Sequence, residues 1–97
     1  MKKNVIIFRF GIFYENKVWG AINVDDITYL TTGRSKKRLL ENIEEVIHLL
    51  ENNKTSGIRE DDFSEYCCYW IIEYDTKTKK ATLKKEVKDL AELEKVH

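Results

Sequence analysis

Ninety-seven residues, 42% hydrophobic, 11% aromatic and 35% charged, describe one folded domain covering residues 1–97 rather than a disordered chain. The 17 basic and 17 acidic residues cancel, so the chain lacks the cationic excess with which dedicated nucleic-acid binders neutralise phosphates. No run is apolar enough to span a bilayer, and Arg9 breaks the apolar start where a secretory signal would need continuity, so a cytoplasmic location is expected, with no membrane partner.

From about residue 3 to 14 apolar side chains fall on both faces of an extended chain. Ile6, Phe8, Phe10, Ile12 and Tyr14 share one face; Val5, Ile7, Gly11 and Phe13 share the other with Arg9. A strand apolar on both sides belongs inside a sheet. Residues 15–17 read as a hairpin turn, with Asn16 suited to the left-handed conformation. A second strand is expected over residues 18–24, Asp25 and Asp26 turn the chain, and residues 27–32 make a short third strand.

Ser35 is placed to cap a helix, because its hydroxyl can accept a free backbone N–H of the first turn. Leu39, Ile43, Val46, Ile47 and Leu50 then recur every three or four residues and form one apolar stripe. The helix is expected to end near Asn52 or Asn53. A polar connection, "KTSGIREDDFSE", leads to "YCCYWIIEYD", a strand rich in aromatic and β-branched residues. In it Tyr66, Cys68, Trp70, Ile72 and Tyr74 should share a face. "ATLKK" returns as a short strand, and "EVKDLAELEKV" (residues 86–96) reads as a closing helix. The expected fold is therefore α+β, βββα-ββα, with an antiparallel sheet and the first helix on one of its faces.

No phosphate-cradling loop, nucleotide fingerprint, zinc-protease motif or nucleophile elbow occurs in the sequence. His48 and His97 are the only histidines, and neither has a nucleophile beside it. Adjacent Cys67 and Cys68 would point to opposite faces of a strand and cannot readily bond to each other. Glu60, Asp61, Asp62 and Glu65 lack the regular spacing of a calcium loop. No enzyme activity, cofactor or metal is expected. What remains are charges and aromatics suited to contact. Arg34, Lys36, Lys37 and Arg38 cluster at a helix N-terminus, where free N–H groups attract anions and nucleic acid could bind. Glu60, Asp61 and Asp62 offer an acidic surface to a basic partner, and Glu41, Glu44 and Glu45 lie on the polar side of the helix.

"YENKVWGA" (residues 14–21), "TTG" (31–33) and "LLENIEEVI" (39–47) together resemble the HicB-like antitoxin family. The similarity runs over roughly residues 10–50. It departs from the family where "VDDITYL" replaces a Pro-Gly pair, and where "SKKR" replaces acidic residues in the first helical turn. The resemblance implies a non-enzymatic antitoxin that covers the active surface of a small basic ribonuclease toxin. The carboxylates above would supply complementary charge, and Tyr69 and Trp70 would serve as aromatic anchors. Two alternatives accompany it: an anti-defence or immunity inhibitor from a phage or mobile element, acting on a defence-system component, and a small nucleic-acid-binding regulator using residues 34–38. A homodimer is compatible with each.

Overall fold

Asn16 and Lys17 both adopt left-handed backbone conformations, with φ of 53° and 65°. Two such residues in succession make the tight turn whose twist matches that of paired strands. It joins β1 (Val5–Glu15) to β2 (Val18–Asn23). The structure, a computed structural model, describes residues 4–27, 29–52 and 66–88. In it β3 (Leu30–Gly33), α1 (Lys36–Asn52), β4 (Cys68–Asp75) and β5 (Lys80–Val87) follow the hairpin. Every strand pair is antiparallel, and the order across the sheet is β3-β2-β1-β4-β5. β1 lies in the middle, as its two apolar faces require. The class is α+β, and the described elements run βββα-ββ.

The third strand starts later than expected, at Leu30. The reason is Asn23, only 2% exposed. Its side-chain oxygen accepts the N–H groups of Asp25 and Asp26 at 3.0 and 2.8 Å, which curls the chain before it can extend. Asp25 in turn accepts the Arg9 guanidinium at 2.6 Å, tying this loop to β1.

Ser35 caps α1, as expected: its hydroxyl accepts the Arg38 N–H at 3.1 Å. Leu39, Ile43, Val46 and Ile47 are buried and Leu50 is half-buried. They pack on Phe10, Ile12, Ala21, Cys68, Trp70, Ile72 and Tyr74. Burying each such aliphatic contributes about 1.5–3 kcal/mol, so this interface is the main source of stability. On the opposite face Tyr69, Ile71 and Val87 form a smaller cluster with Ile7 and Tyr66. Tyr66 was expected beside Cys68 and Trp70. It lies on the other face because Cys67 bends the chain and strand alternation begins only at Cys68.

β5 also differs from expectation, since Glu86 and Val87 are strand residues rather than the start of a helix. Opposite Ile72 stands Leu83, but opposite Ile71 stands Lys85, so Lys84 is an extra residue in a β-bulge. The bulge reverses the alternation after it. Glu86 therefore faces Trp70, and Val87 faces Tyr69. Lys88 is not helical either, and residues 89–96 of the expected closing helix lie outside the described residues. Among those described, no helix is long and apolar enough to cross a membrane.

Candidate functional site on the outer side of the helix

With its apolar stripe on the sheet, α1 turns Glu41 and Glu45 outward, both exposed. Glu41 lies 3.9 Å from Arg38, but both side chains are more than half exposed, so this pair contributes little. Glu44 is engaged differently. Its carboxylate accepts the N–H of Ala81 at 3.0 Å, covering a donor on the edge strand β5. Asn42, half-buried on the opposite flank, donates to the Thr32 carbonyl of the other edge strand at 2.6 Å. The helix is thus clamped at both sheet edges, which fixes the direction in which Glu41 and Glu45 project. Glu60, Asp61 and Asp62 lie outside the described residues.

Tyr69 and Trp70 are not surface anchors: they are 4% and 1% exposed. β4 is an interior strand, and both its faces are covered. Trp70 lies beneath α1, and its indole N–H donates to Glu86 at 2.9 Å. That bond, above the opposing effect of burial, holds the Glu86 carboxyl below its usual range. Cys68 beside it is pushed to about 11, chiefly by burial and further by the Glu86 charge. Both cysteines are free thiols, Cys67 exposed and Cys68 buried.

Arg34, Lys36, Lys37 and Arg38 are all exposed around the start of α1. The Lys36 ammonium sits 5.1 Å from the Trp19 ring centroid and 3.9 Å from Glu86. Lys36 thus touches both β2 and β5.

At the far end of α1, His48 Nε2 stands 3.2 Å from the Lys79 carbonyl, and its ring meets Tyr74 edge to face at 5.8 Å. Glu51 pairs with the Lys79 ammonium, and that bond is the main reason its carboxyl titrates low. Burial raises the Tyr74 hydroxyl, which lies beside Glu51 without a hydrogen bond of ordinary geometry. These contacts fasten the hairpin of β4 and β5 to the helix; none presents a nucleophile to His48. Asn52 ends the helix by donating back to the His48 carbonyl at 2.8 Å. Among the described residues no three His, Cys, Asp or Glu side chains converge to hold a metal ion.

Sequence reasoning passed over the lysines of β5 and its flanks: Lys80, Lys84, Lys85 and Lys88. Their density near the chain's end was the available signal. What it could not supply was the packing that brings Lys36 of α1 to Glu86, where it and the neighbouring Lys88 help depress the carboxyl. Comparison of the chain with protein-family models, with curated proteins and with solved structures gives no match.

Proposed function

We propose that this domain is a non-enzymatic protein-interaction module: an inhibitor of the HicB-like antitoxin kind, covering the active surface of a small basic ribonuclease with the outer side of α1. The observation that carries this reading is the interlocking of the residues that make up the resemblance. A Cβ on Gly33 would lie 2.6 Å from the backbone nitrogen of Leu39, so the glycine lets α1 start directly against β3. Nine residues further on, Asn42 returns to Thr32. "TTG" and "LLEN" thus form one built unit, and Glu41 and Glu45 project from it into solvent. Fixed carboxylates on a rigid helix steer a cationic partner and set its register. Glu44 serves by holding the helix in place.

The test is an RNA-cleavage assay with a small basic protein purified from a reading frame next to this one, should such a frame be found there. The wild-type domain should suppress cleavage. Glu41→Lys with Glu45→Lys should suppress it far less, with the difference shrinking at high salt as screening shortens electrostatic reach. Cleavage that continues unchanged in the presence of the folded wild-type domain would refute the reading. An inhibitor of a defence-system component would show the same charge dependence against that component instead.

A further inference from the structure

Among the described strands, β3 and β5 are outermost, and each turns a row of backbone N–H and C=O groups away from its neighbour. Such a row is a template on which another chain can add a strand. β3 offers little of it. The strand has four residues, and Asn42 of α1 takes the Thr32 carbonyl at 2.6 Å. β5 has eight residues, and every one from Thr82 to Glu86 is exposed. It lies against β4, whose Tyr69, Trp70, Ile71 and Ile72 form an apolar, strand-favouring run. An edge of this length beside such a strand is the kind that joins sheets of different molecules unless something prevents it.

We infer that β5 is built to refuse a further strand, and so keeps two copies of this chain from joining edge to edge. Three features of the strand act together. The Glu44 carboxylate accepts the Ala81 N–H at 3.0 Å, so an outward donor is already occupied by a group that repels an incoming carbonyl. Lys84 is the extra residue of the bulge, and a regular ladder on the outer side is interrupted there. Lys80, Lys84 and Lys85 set exposed ammonium groups along the same edge. Antiparallel pairing of β5 with its own copy about the Thr82–Leu83 bond would put Lys80 opposite Lys85. Pairing about Lys84 would put that residue opposite itself and Lys80 opposite Lys88. Like charges directly opposite one another destabilise a strand pair. Lys84 has Glu73 at 3.6 Å, which leaves Lys80 and Lys85 to supply most of the repulsion. An acidic strand would suit these lysines, but the bulge and the occupied Ala81 donor would still interrupt its ladder. The inference concerns the sheet edge rather than the outer side of α1, and it does not rest on the inhibitor reading.

Sedimentation equilibrium of the full chain over a range of concentrations tests this, with hydrogen exchange of the β5 amides as a second readout. The unguarded variant combines Lys80→Thr, Lys85→Thr and Glu44→Ala with deletion of Lys84, which restores regular alternation. Its average mass should rise with concentration from one chain to two or more, and its β5 amides should become protected as it does. Wild type should show neither change. Lys80→Thr with Lys85→Thr alone keeps Glu44 and the bulge, and should associate more weakly than the larger variant but more than wild type. The unguarded variant loses three lysines and one glutamate, a net change of −2; Lys37→Gln with Arg38→Gln also changes the net charge by −2 and should behave as wild type. Circular dichroism reports whether each variant is folded. The inference is overturned if the folded unguarded variant sediments as wild type or, where that variant does not fold, if the Lys80/Lys85 variant does. It is equally overturned if the Lys37/Arg38 variant associates as strongly, or if wild-type β5 amides become protected by self-association or by a peptide of alternating glutamate and valine.

Discussion

Asn42, midway along α1, donates its side-chain amide to the carbonyl of Thr32 at 2.6 Å. That bond satisfies an outward-facing carbonyl on the short edge strand β3 and joins the helix to the strand that precedes it. Asn42→Ala leaves the carbonyl to solvent. It should cost about 0.5–1.5 kcal/mol, the net value of one such bond. Urea unfolding of the two proteins measures it, with an unchanged slope expected because the fold persists.

Gly33 makes the same junction possible. Ala at this position would force its Cβ to within 2.6 Å of the Leu39 nitrogen and 2.8 Å of its Cα. Backbone atoms cannot swing aside as a side chain tip can. Gly33→Ala should therefore destabilise by about 1–3 kcal/mol, as overpacking does. Hydrogen exchange should show faster opening of the first turn of α1. Wild-type protection there in the Ala variant would show that the junction has room to spare.

Ile43 is fully buried at the centre of the helix stripe. Ile43→Ala should cost about 2–5 kcal/mol by lost burial and a residual cavity. A loss under about 1 kcal/mol in chemical denaturation would mean that the stripe does not carry the core.

The two cysteines should behave differently. Cys67 is exposed, whereas Cys68 is buried with its thiol pushed from 9.0 to about 11. A native-state thiol assay at neutral pH should report Cys67 promptly and Cys68 only on unfolding. The folded state holds the Cys68 proton more tightly than the unfolded chain. Its contribution to stability is thus complete below pH 9.0 and lost as pH rises toward 11. Glu86 acts at the acid end. Its carboxyl is depressed by the Trp70 bond, so its contribution is present above the ordinary carboxylate range and lost as pH falls through its lowered value. Glu86→Gln should flatten the acid limb of the stability profile.

How much of this could be read from the chain follows from which forces are local. The period of Leu39, Ile43, Val46 and Ile47, the Ser35 cap and the two-faced pattern of β1 are written within a few residues of each other, and the structure has them all. The bulge at Lys84 is not local. It depends on Glu86 finding the Trp70 indole across a strand pair, so "ATLKK" seemed to end where β5 continues. Tyr69 and Trp70 were misjudged for a related reason. An aromatic strand looks the same whether its faces are covered or open, and only the placement of β4 between β1 and β5 shows that both are covered. The Tyr14, Trp19 and Lys36 grouping likewise exists only once β2 and α1 have met.

The proposed inhibitor role rests on carboxylates fixed by the helix, and one titration addresses it most directly. Association of the purified ribonuclease would be followed with three proteins: wild type, Glu41→Lys with Glu45→Lys, and the variant with Ser at positions 34, 36, 37 and 38. The acidic reversal should slow association and weaken the complex, most of all at low salt. The basic replacement should leave the complex nearly intact. It should stabilise the helix slightly by removing cations from its positive end. If the basic variant alone loses the ribonuclease while the acidic reversal binds as wild type, the carboxylate face of α1 is not the inhibitory surface.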